Sequence, residues 1–248
     1  MIVTDLDGTL LRDDKTVSEY TVSVLKRCRE IGTKTVFATG RGGSAEWIAP
    51  GELFDAKITM NGSRARIGDE VVYNKLAPWK SAQKVLLACD ARGMKTASQL
   101  YGTDYSNFNV TEEWPWITNF IEVHFENHEL DAEKIYAVPR NQEDVDAIRE
   151  SLPDDLYLVV SNDGLAMVMH RDATKSKAAA ALAERWGISQ KEIAAFGDDL
   201  NDIDLLEYAG IGVAMANALP EVLSVADEIC GSNEDDGMAK WIEENILQ

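Results

Sequence analysis

Short apolar runs alternate with stretches of helical periodicity at the start of the chain. Ile2, Val3 and Thr4 form a brief strand-like run that stops at Asp5. Thr16-Val17-Ser18-Glu19 then offers a capping box, a hydroxyl followed three residues on by a glutamate. Val24, Leu25, Cys28 and Ile31 recur at helical spacing, and Gly32 suits the end of that helix. Thr35-Val36-Phe37-Ala38 reads as the next strand, ended by Thr39-Gly40-Arg41. A strand, helix and strand of these lengths predict a right-handed parallel unit. Residues 57–60 give a further strand that ends at Asn61-Gly62. A hairpin follows, turning at Gly68-Asp69, with Val71, Val72 and Tyr73 on its return strand.

The pattern changes after Ala77-Pro78. Pro78 suits the first turn of a helix that carries Val85, Leu86 and Leu87 and ends at Gly93. Beyond it, strands are expected at 117–125, 134–138 and 156–161, a helix at 143–151, a turn at Asn162-Asp163-Gly164 and a strand at 165–170. This mixture predicts a small α+β domain with an antiparallel sheet. Strict alternation then resumes: a helix over 175–186 closed by Gly187, a strand over 192–196, a helix over 202–208 and a strand over 211–214. The predicted fold class is α/β, a Rossmann-like parallel-sheet core with an inserted α+β domain. The core is expected at 1–76 and 166–248, and the insert at 77–165.

Composition narrows the function. With 248 residues, 45% of them hydrophobic, the chain can bury a large core and a smaller second one. Lys and Arg number 24 against 43 Asp and Glu, a net charge of −19. Such a surface does not attract nucleic acid or an anionic membrane, so neither is expected as a partner. It also means that an anionic substrate must be drawn in by a local cation. Cys28, Cys89 and Cys230 are scattered and odd in number, which argues against a disulfide framework; Cys28 and Cys89 fall on apolar helix stripes. His124 and His128 flank Phe125 in a strand-then-turn segment that does not present two ligands on one face, and they read as solvated polar residues. No apolar run reaches the roughly 18 residues of a membrane span. Met1–Asp5 lacks the pattern of a signal peptide, and a reduced cytoplasm is the expected location.

Four places carry candidate chemistry, each at or beside a strand end, where ligands gather in open parallel sheets. Asp5 and Asp7 are two carboxylates two residues apart, followed by Gly8, which lets the backbone turn. Close carboxylates repel and call for a cation or a proton. One can attack phosphorus and the other can serve as acid and base; a cap and turn before a helix is the plainer alternative. Thr39-Gly40-Arg41 supplies a hydroxyl and backbone N–H groups for phosphate oxygens. Lys175 opens a helix, where a cation is disfavoured by the dipole unless an anion waits nearby; Lys177 competes for the role. Gly197-Asp198-Asp199-Leu200-Asn201-Asp202 brings three acids and an amide together after a buried strand, a set that suits a hard cation. Asp199 there reads as a helix cap.

Taken together, DLDGTLL at Asp5–Leu11, ATGR at Ala38–Arg41, the helix lysine and GDDLND at Gly197–Asp202 resemble the haloacid dehalogenase-like superfamily. MNG at Met60–Gly62, GIGVAMANA at Gly210–Ala218 and SNEDDGMAKWIE at Ser232–Glu243 are similar to its Cof-type subfamily IIB, whose insert is a C2 cap. The resemblance implies a phosphatase. Asp5 would be the nucleophile and an Mg²⁺ ligand, and Asp7 the acid and base, lending its carbonyl to the metal. Thr39 and Lys175 would hold the phosphoryl group. The spacing to Gly187-Ile188 favours Lys175 over Lys177. Asp198 would bind the metal, with Asp202 beside or behind it. Gly40, Arg41, Asn61 and Asn201 would line the phosphate and nearby substrate. Asp199 departs from the glycine frequent there, which is expected to shift the loop. The implied reaction is hydrolysis of a small-molecule phosphate ester, a sugar phosphate first among them, under a cap that opens and closes. A phosphosugar mutase or a non-catalytic sensor of a phosphorylated ligand is the alternative. As to assembly, a monomer or weak dimer is expected. Trp114, Trp116 and Tyr101 stand between pocket lining and ordinary core.

Overall fold

The fold is that of a computed structural model, which describes residues 1–42, 45–161 and 164–247. Of the turn expected at Asn162-Asp163-Gly164, the first two residues lie outside the described residues.

The chain opens with β1 (Ile2–Thr4), α1 (Glu19–Glu30), β2 (Thr35–Ala38), α2 (Ala45–Ile48), β3 (Ala56–Thr59) and the hairpin β4 (Arg64–Ile67) and β5 (Glu70–Asn74). It continues with α3 (Trp79–Ala91), β6 (Lys95–Leu100), β7 (Thr103–Ser106), β8 (Phe120–Glu122), β9 (Lys134–Val138), α4 (Gln142–Ser151), β10 (Leu156–Val160) and β11 (Ala166–His170). It ends with α5 (Lys175–Trp186), β12 (Ala194–Gly197), α6 (Ile203–Tyr208), β13 (Ile211–Ala214), α7 (Pro220–Leu223), β14 (Glu228–Ile229) and α8 (Gly237–Asn245). Two compact units result: Met1–Asn74 with Thr174–Gln248, and Lys75–Ala173.

The first unit holds a sheet in the order β14-β13-β12-β1-β2-β3-β4-β5, parallel from β14 to β3 and antiparallel at the hairpin. β1 is central, with β12 on one side and β2 on the other. All its residues are buried, as are those of β2 and β12. That is why these strands read as unbroken apolar runs: a parallel strand covered on both faces has no solvent side. Alternate side chains feed two layers. Ile2, Phe37 and Phe196 pack with Val24, Leu25 and Cys28 of α1 and Met238, Trp241 and Ile242 of α8. Val3, Val36 and Ala195 pack with Ala178, Ala179 and Leu182 of α5 and Leu205 and Leu206 of α6.

The second unit holds the sheet β10-β11-β9-β6-β7-β8. It is antiparallel except between β7 and β8. Ala82, Val85, Leu86 and Cys89 of α3 and Ile148 of α4 cover one face, against Ile135, Ala137, Leu156 and Val168.

Four expectations need correction. The cap of α1 is Ser18, whose hydroxyl accepts from the Thr21 amide at 3.0 Å. Thr16 instead turns back to Asp14. Residues 166–170 belong to the second unit, because β11 is paired on both sides, with β10 and β9. The strand expected at 117–125 is only β8, and Phe125–Asn127 form a 3₁₀ turn that buries the Phe125 ring. His128 is buried, not solvated: its Nε2 lies 2.8 Å from the Ser98 hydroxyl, and burial pulls its pKa down. All three cysteines are free and buried. No helix among the described residues is long and apolar enough to cross a membrane.

Candidate active site

β1, β2, β3 and β12 are neighbours and parallel, so their C-terminal ends open on one edge of the sheet. Asp5 follows β1, Thr39 follows β2, Met60-Asn61 follow β3, and Asp198 follows β12. The Asp5 amide donates to the Phe196 carbonyl at 3.0 Å, which fixes the start of one loop against the end of the strand that carries the other.

Lys175 enters from the first turn of α5 and is fully buried, at 0% exposure. Its Nζ donates to Asp5 Oδ1 at 2.6 Å and to Asp202 Oδ1 at 2.5 Å. Burial alone would strip the lysine of its proton, but the charges of Asp202 and Asp5 overcome this and hold its pKa above the usual lysine value. Lys177, two residues on in the same turn, is exposed. The other oxygen of Asp202, Oδ2, accepts from the Asp198 and Asp199 amides at 3.0 and 3.1 Å. Asp202 therefore ties the acidic loop to the lysine.

Carboxylate oxygens of Asp5, Asp198 and Asp202 lie within 4.8 Å of one another. Burial pushes the Asp5 carboxyl well above the ordinary range, with the charges of Asp202 and Asp198 adding to it and Lys175 only partly opposing. Burial also raises Asp198, to about 7, against a hydrogen bond from the Thr9 hydroxyl at 2.6 Å. One ammonium is shared among three close carboxylates, so the cluster is short of positive charge.

Asp7 faces different partners. Arg41 donates to it through Nε at 2.5 Å and Nη2 at 2.7 Å, and Lys15 through Nζ at 2.9 Å. Partial burial works against ionisation here, but these cations outweigh it and hold Asp7 at about 2. Thr39 is buried, and its hydroxyl accepts from the Arg41 amide at 3.2 Å. Gly40 lies beside the Asn61 side chain. Asn61, at a left-handed φ of 53°, accepts at Oδ1 from Asn201 Nδ2 at 2.9 Å. Every residue singled out from the sequence for the site thus lies on these four strand ends or on α5.

The profile of haloacid dehalogenase-like hydrolases matches residues 2–242. The chain belongs to the haloacid dehalogenase-like hydrolase family. It is 31% identical over 272 residues to YxeH of Bacillus subtilis, spanning 100% of this chain and 98% of that protein. It is 27% identical over 261 residues to the 5-amino-6-(5-phospho-D-ribitylamino)uracil phosphatase YitU of the same organism, spanning 98% of this chain and 96% of that protein. The solved sugar phosphatase BT4131, of subclass IIB, shares the fold at a TM-score of 0.85 and 24% identity, over 98% of this chain and 97% of that one. The enzyme class is that of the haloacid dehalogenase-type phosphoric monoester hydrolases.

Several residues that brace the haloacid dehalogenase-type loops escaped the sequence reading. Asn217 donates to the Gly8 carbonyl at 2.8 Å and accepts from the Asn233 amide. Asn233 donates in turn to the Leu11 carbonyl at 3.0 Å. These two asparagines, from GIGVAMANA and SNEDDG, fasten the loop that carries Asp5 and Asp7; their place in those motifs was the available signal. Thr9, within DLDGTLL, holds Asp198. Asp199 sits in its loop without backbone strain. Its φ of −116° is open to any residue, and its side chain accepts from the Leu200 amide at 2.7 Å, as a cap should. Gly8 is required where it stands: at φ +75°, a Cβ would lie 2.2 Å from Asp198 Oδ2.

Proposed function

We propose that the protein hydrolyses a small phosphorylated metabolite, a sugar or sugar-alcohol phosphate, by way of an aspartyl-phosphate on Asp5. The observation that carries this is Lys175 Nζ lying between Asp5 and Asp202, with Asp198 alongside. A buried lysine shared by acids that remain under-compensated is a site built to receive an anion together with a cation.

The donor set fits a magnesium-type ion. All its atoms are carboxylate or carbonyl oxygens, which hard cations prefer, and the buried carboxylates need more positive charge than Lys175 brings. Asp5, Asp198 and the main-chain carbonyl of Asp7 would hold the ion. Asp202, whose oxygens already accept from Lys175 and from two amides, stands behind them and holds the loop. When bound, the ion offsets the charge of the phosphoryl oxygens and of the carboxylates.

The residues then divide the work. Lys175, the Thr39 hydroxyl and the amides after it hold the phosphoryl oxygens. An Asp5 oxygen attacks phosphorus in line, and the bond from phosphorus to the ester oxygen breaks. Asp7 gives its proton to that oxygen, so the alcohol leaves neutral. Water then attacks the phosphorus of the acyl phosphate and yields its proton to Asp7; the bond to Asp5 breaks, and inorganic phosphate and the free carboxylate return. With Arg41 and Lys15 upon it Asp7 is ionised. The acid step therefore needs Arg41 to exchange Asp7 for the incoming substrate.

Phosphate release from p-nitrophenyl phosphate tests the reading. Wild type with Mg²⁺ turns over and Asp5→Asn does not; equal release by the two overturns the nucleophile assignment. A panel of phosphorylated metabolites, sugar and ribityl phosphates among them, then ranks the substrates.

A further inference from the structure

Helix α5 opens with the wrong charge for its end. Its first turn, Lys175-Ser176-Lys177, carries two cations and no acid, although the amides exposed there favour negative charge. Its own cap is weak. The Thr174 hydroxyl accepts from the Lys177 amide at 3.4 Å and also lies 3.0 Å from the Ser176 hydroxyl. The short bond at this end comes from another helix. Asp204, in the first turn of α6, is half-buried, and its Oδ2 accepts from the Ser176 amide at 2.9 Å. A carboxylate on a backbone N–H makes a charge-assisted bond, roughly twice as strong as a neutral one. Asp204 thus supplies the negative charge that α5 lacks in its own first turn.

Two residues earlier on the same stretch of chain, Asp202 accepts from Lys175 Nζ. The start of α6 therefore holds Lys175 twice. Asp202 takes the tip of its side chain, and Asp204 takes the backbone amide of the next residue. The two grips fix different things. A lysine has a flexible four-carbon stem, so a bond at Nζ alone leaves the stem free to bend. Fixing the amide beside it decides where the stem begins. Asp202 also accepts from the amides of Asp198 and Asp199. The segment from Asp198 to Asp204 thus places the acidic loop and the lysine together.

We propose that Asp204 is a positioning residue for phosphoryl transfer: by holding the Ser176 amide, it sets the reach of Lys175 toward the phosphoryl oxygens. Its effect on turnover rests on the hydrolysis proposed above, while its effect on the place of Lys175 does not.

The test compares full-length wild type with Asp204→Ala, Asp204→Asn and Asp204→Glu. Release of phosphate from p-nitrophenyl phosphate is followed with Mg²⁺ well below each melting temperature, and each variant is crystallised. Asp204→Ala is expected to lower kcat by about 10- to 100-fold, the cost of a misplaced reacting group, with KM changed far less. Its crystal structure should show the backbone at Lys175 drawn away from α6. Asp204→Asn keeps an oxygen acceptor on the same frame and should recover most of kcat. Asp204→Glu keeps the charge but moves the carboxylate by one methylene, so its kcat should fall as well; it carries the test if Asp204→Ala does not fold. A cap with a structural role alone would lower the melting temperature and leave kcat and KM of the folded enzyme at wild-type values, and that result overturns the proposal. It is equally overturned if folded Asp204→Asn is as slow as Asp204→Ala, or as Asp204→Glu where only that variant folds. If wild type itself releases no phosphate, the hydrolysis fails and the crystals decide the placement. Lys175 displaced in Asp204→Ala or Asp204→Glu and restored in Asp204→Asn upholds it, and Lys175 unmoved in all of them refutes it.

Discussion

Arg41 grips Asp7 with two nitrogens, Nε at 2.5 Å from Oδ2 and Nη2 at 2.7 Å from Oδ1. The planar fork fits a carboxylate in a way that a lysine ammonium does not. Arg41→Lys keeps the charge and loses the fork. Phosphate release is expected to fall by roughly 10- to 100-fold, because the bidentate fork that must pass from Asp7 to the incoming substrate is lost. Kinetics with p-nitrophenyl phosphate check this, and an unchanged kcat/KM would show that the grip plays no part.

Removing the buried lysine exposes the cluster's deficit. Lys175→Met keeps the length of the side chain and leaves Asp5, Asp198 and Asp202 without their shared cation. Breaking a buried charge pair in this way costs about 3–5 kcal/mol. Thermal melting without divalent ions should show the loss, and Mg²⁺ should recover part of it.

Magnesium should also raise the wild-type melting temperature. Binding to the folded state alone is worth about 2.7 kcal/mol at 100 times the dissociation constant. Asp198→Asn should melt alike with and without the ion. An ion-independent melting curve for wild type would remove Asp5 and Asp198 from consideration as metal ligands.

Gly62 shapes the floor beneath Lys175. It stands at φ +101°, and a Cβ there would lie 2.1 Å from the Thr174 carbonyl oxygen. Backbone cannot yield as a side-chain tip does. Gly62→Ala should cost about 1–3 kcal/mol in strain and shift Lys175 through its neighbour. Circular dichroism melts and phosphate release should fall together; an unaltered protein would mean the loop has room to move.

Asp104 makes stability depend on pH in the unusual direction. Burial raises its pKa from 3.8 to about 6, against the Tyr136 hydroxyl and the Lys134 charge. Between those values the unfolded chain gives up this proton while the folded one keeps it, so the group's contribution worsens as pH rises and is level above about 6. Asp104→Asn should be close to wild type at pH 4 and more stable at pH 7, by up to about 3 kcal/mol at 1.36 kcal/mol per pKa unit. Urea melts at the two values check it, and the same gap at both would refute it.

Much of the core was legible because its central strands are buried on both sides. Thr35–Ala38, Lys175–Trp186 and Ile211–Ala214 have the bounds expected of them. The site was legible because each apolar run stops at a polar residue, and the order of those stops follows the sheet. The second unit was harder to read. β6 and β7, Lys-Thr-Ala-Ser-Gln-Leu and Thr-Asp-Tyr-Ser, carry polar residues on both faces and show no apolar run. Buried Ser98 finds its partner only through a tertiary contact with His128, while the Thr96 hydroxyl turns to the Met94 carbonyl two residues back. Asn217 and Asn233 were missed as supports for a related reason: a lone asparagine carries no periodicity, and its use depends on which carbonyl the fold brings near. The boundary at 165 failed because a strand's sheet is decided by its neighbours, not by its own residues.

The central position of β1 also bears on how the polypeptide assembles during synthesis. Its β2 neighbour emerges from the ribosome soon after it, but the β12 strand that completes its other edge, with Ile2 opposite Ala194, is made only after the whole of Lys75–Ala173. The continuous middle segment can collapse on its own while the earlier strands still wait, with one flank unpaired, for the late-made half of their sheet. Closing that gap is a long-range event, and the acid pair and the late acidic loop meet only when β12 pairs with β1.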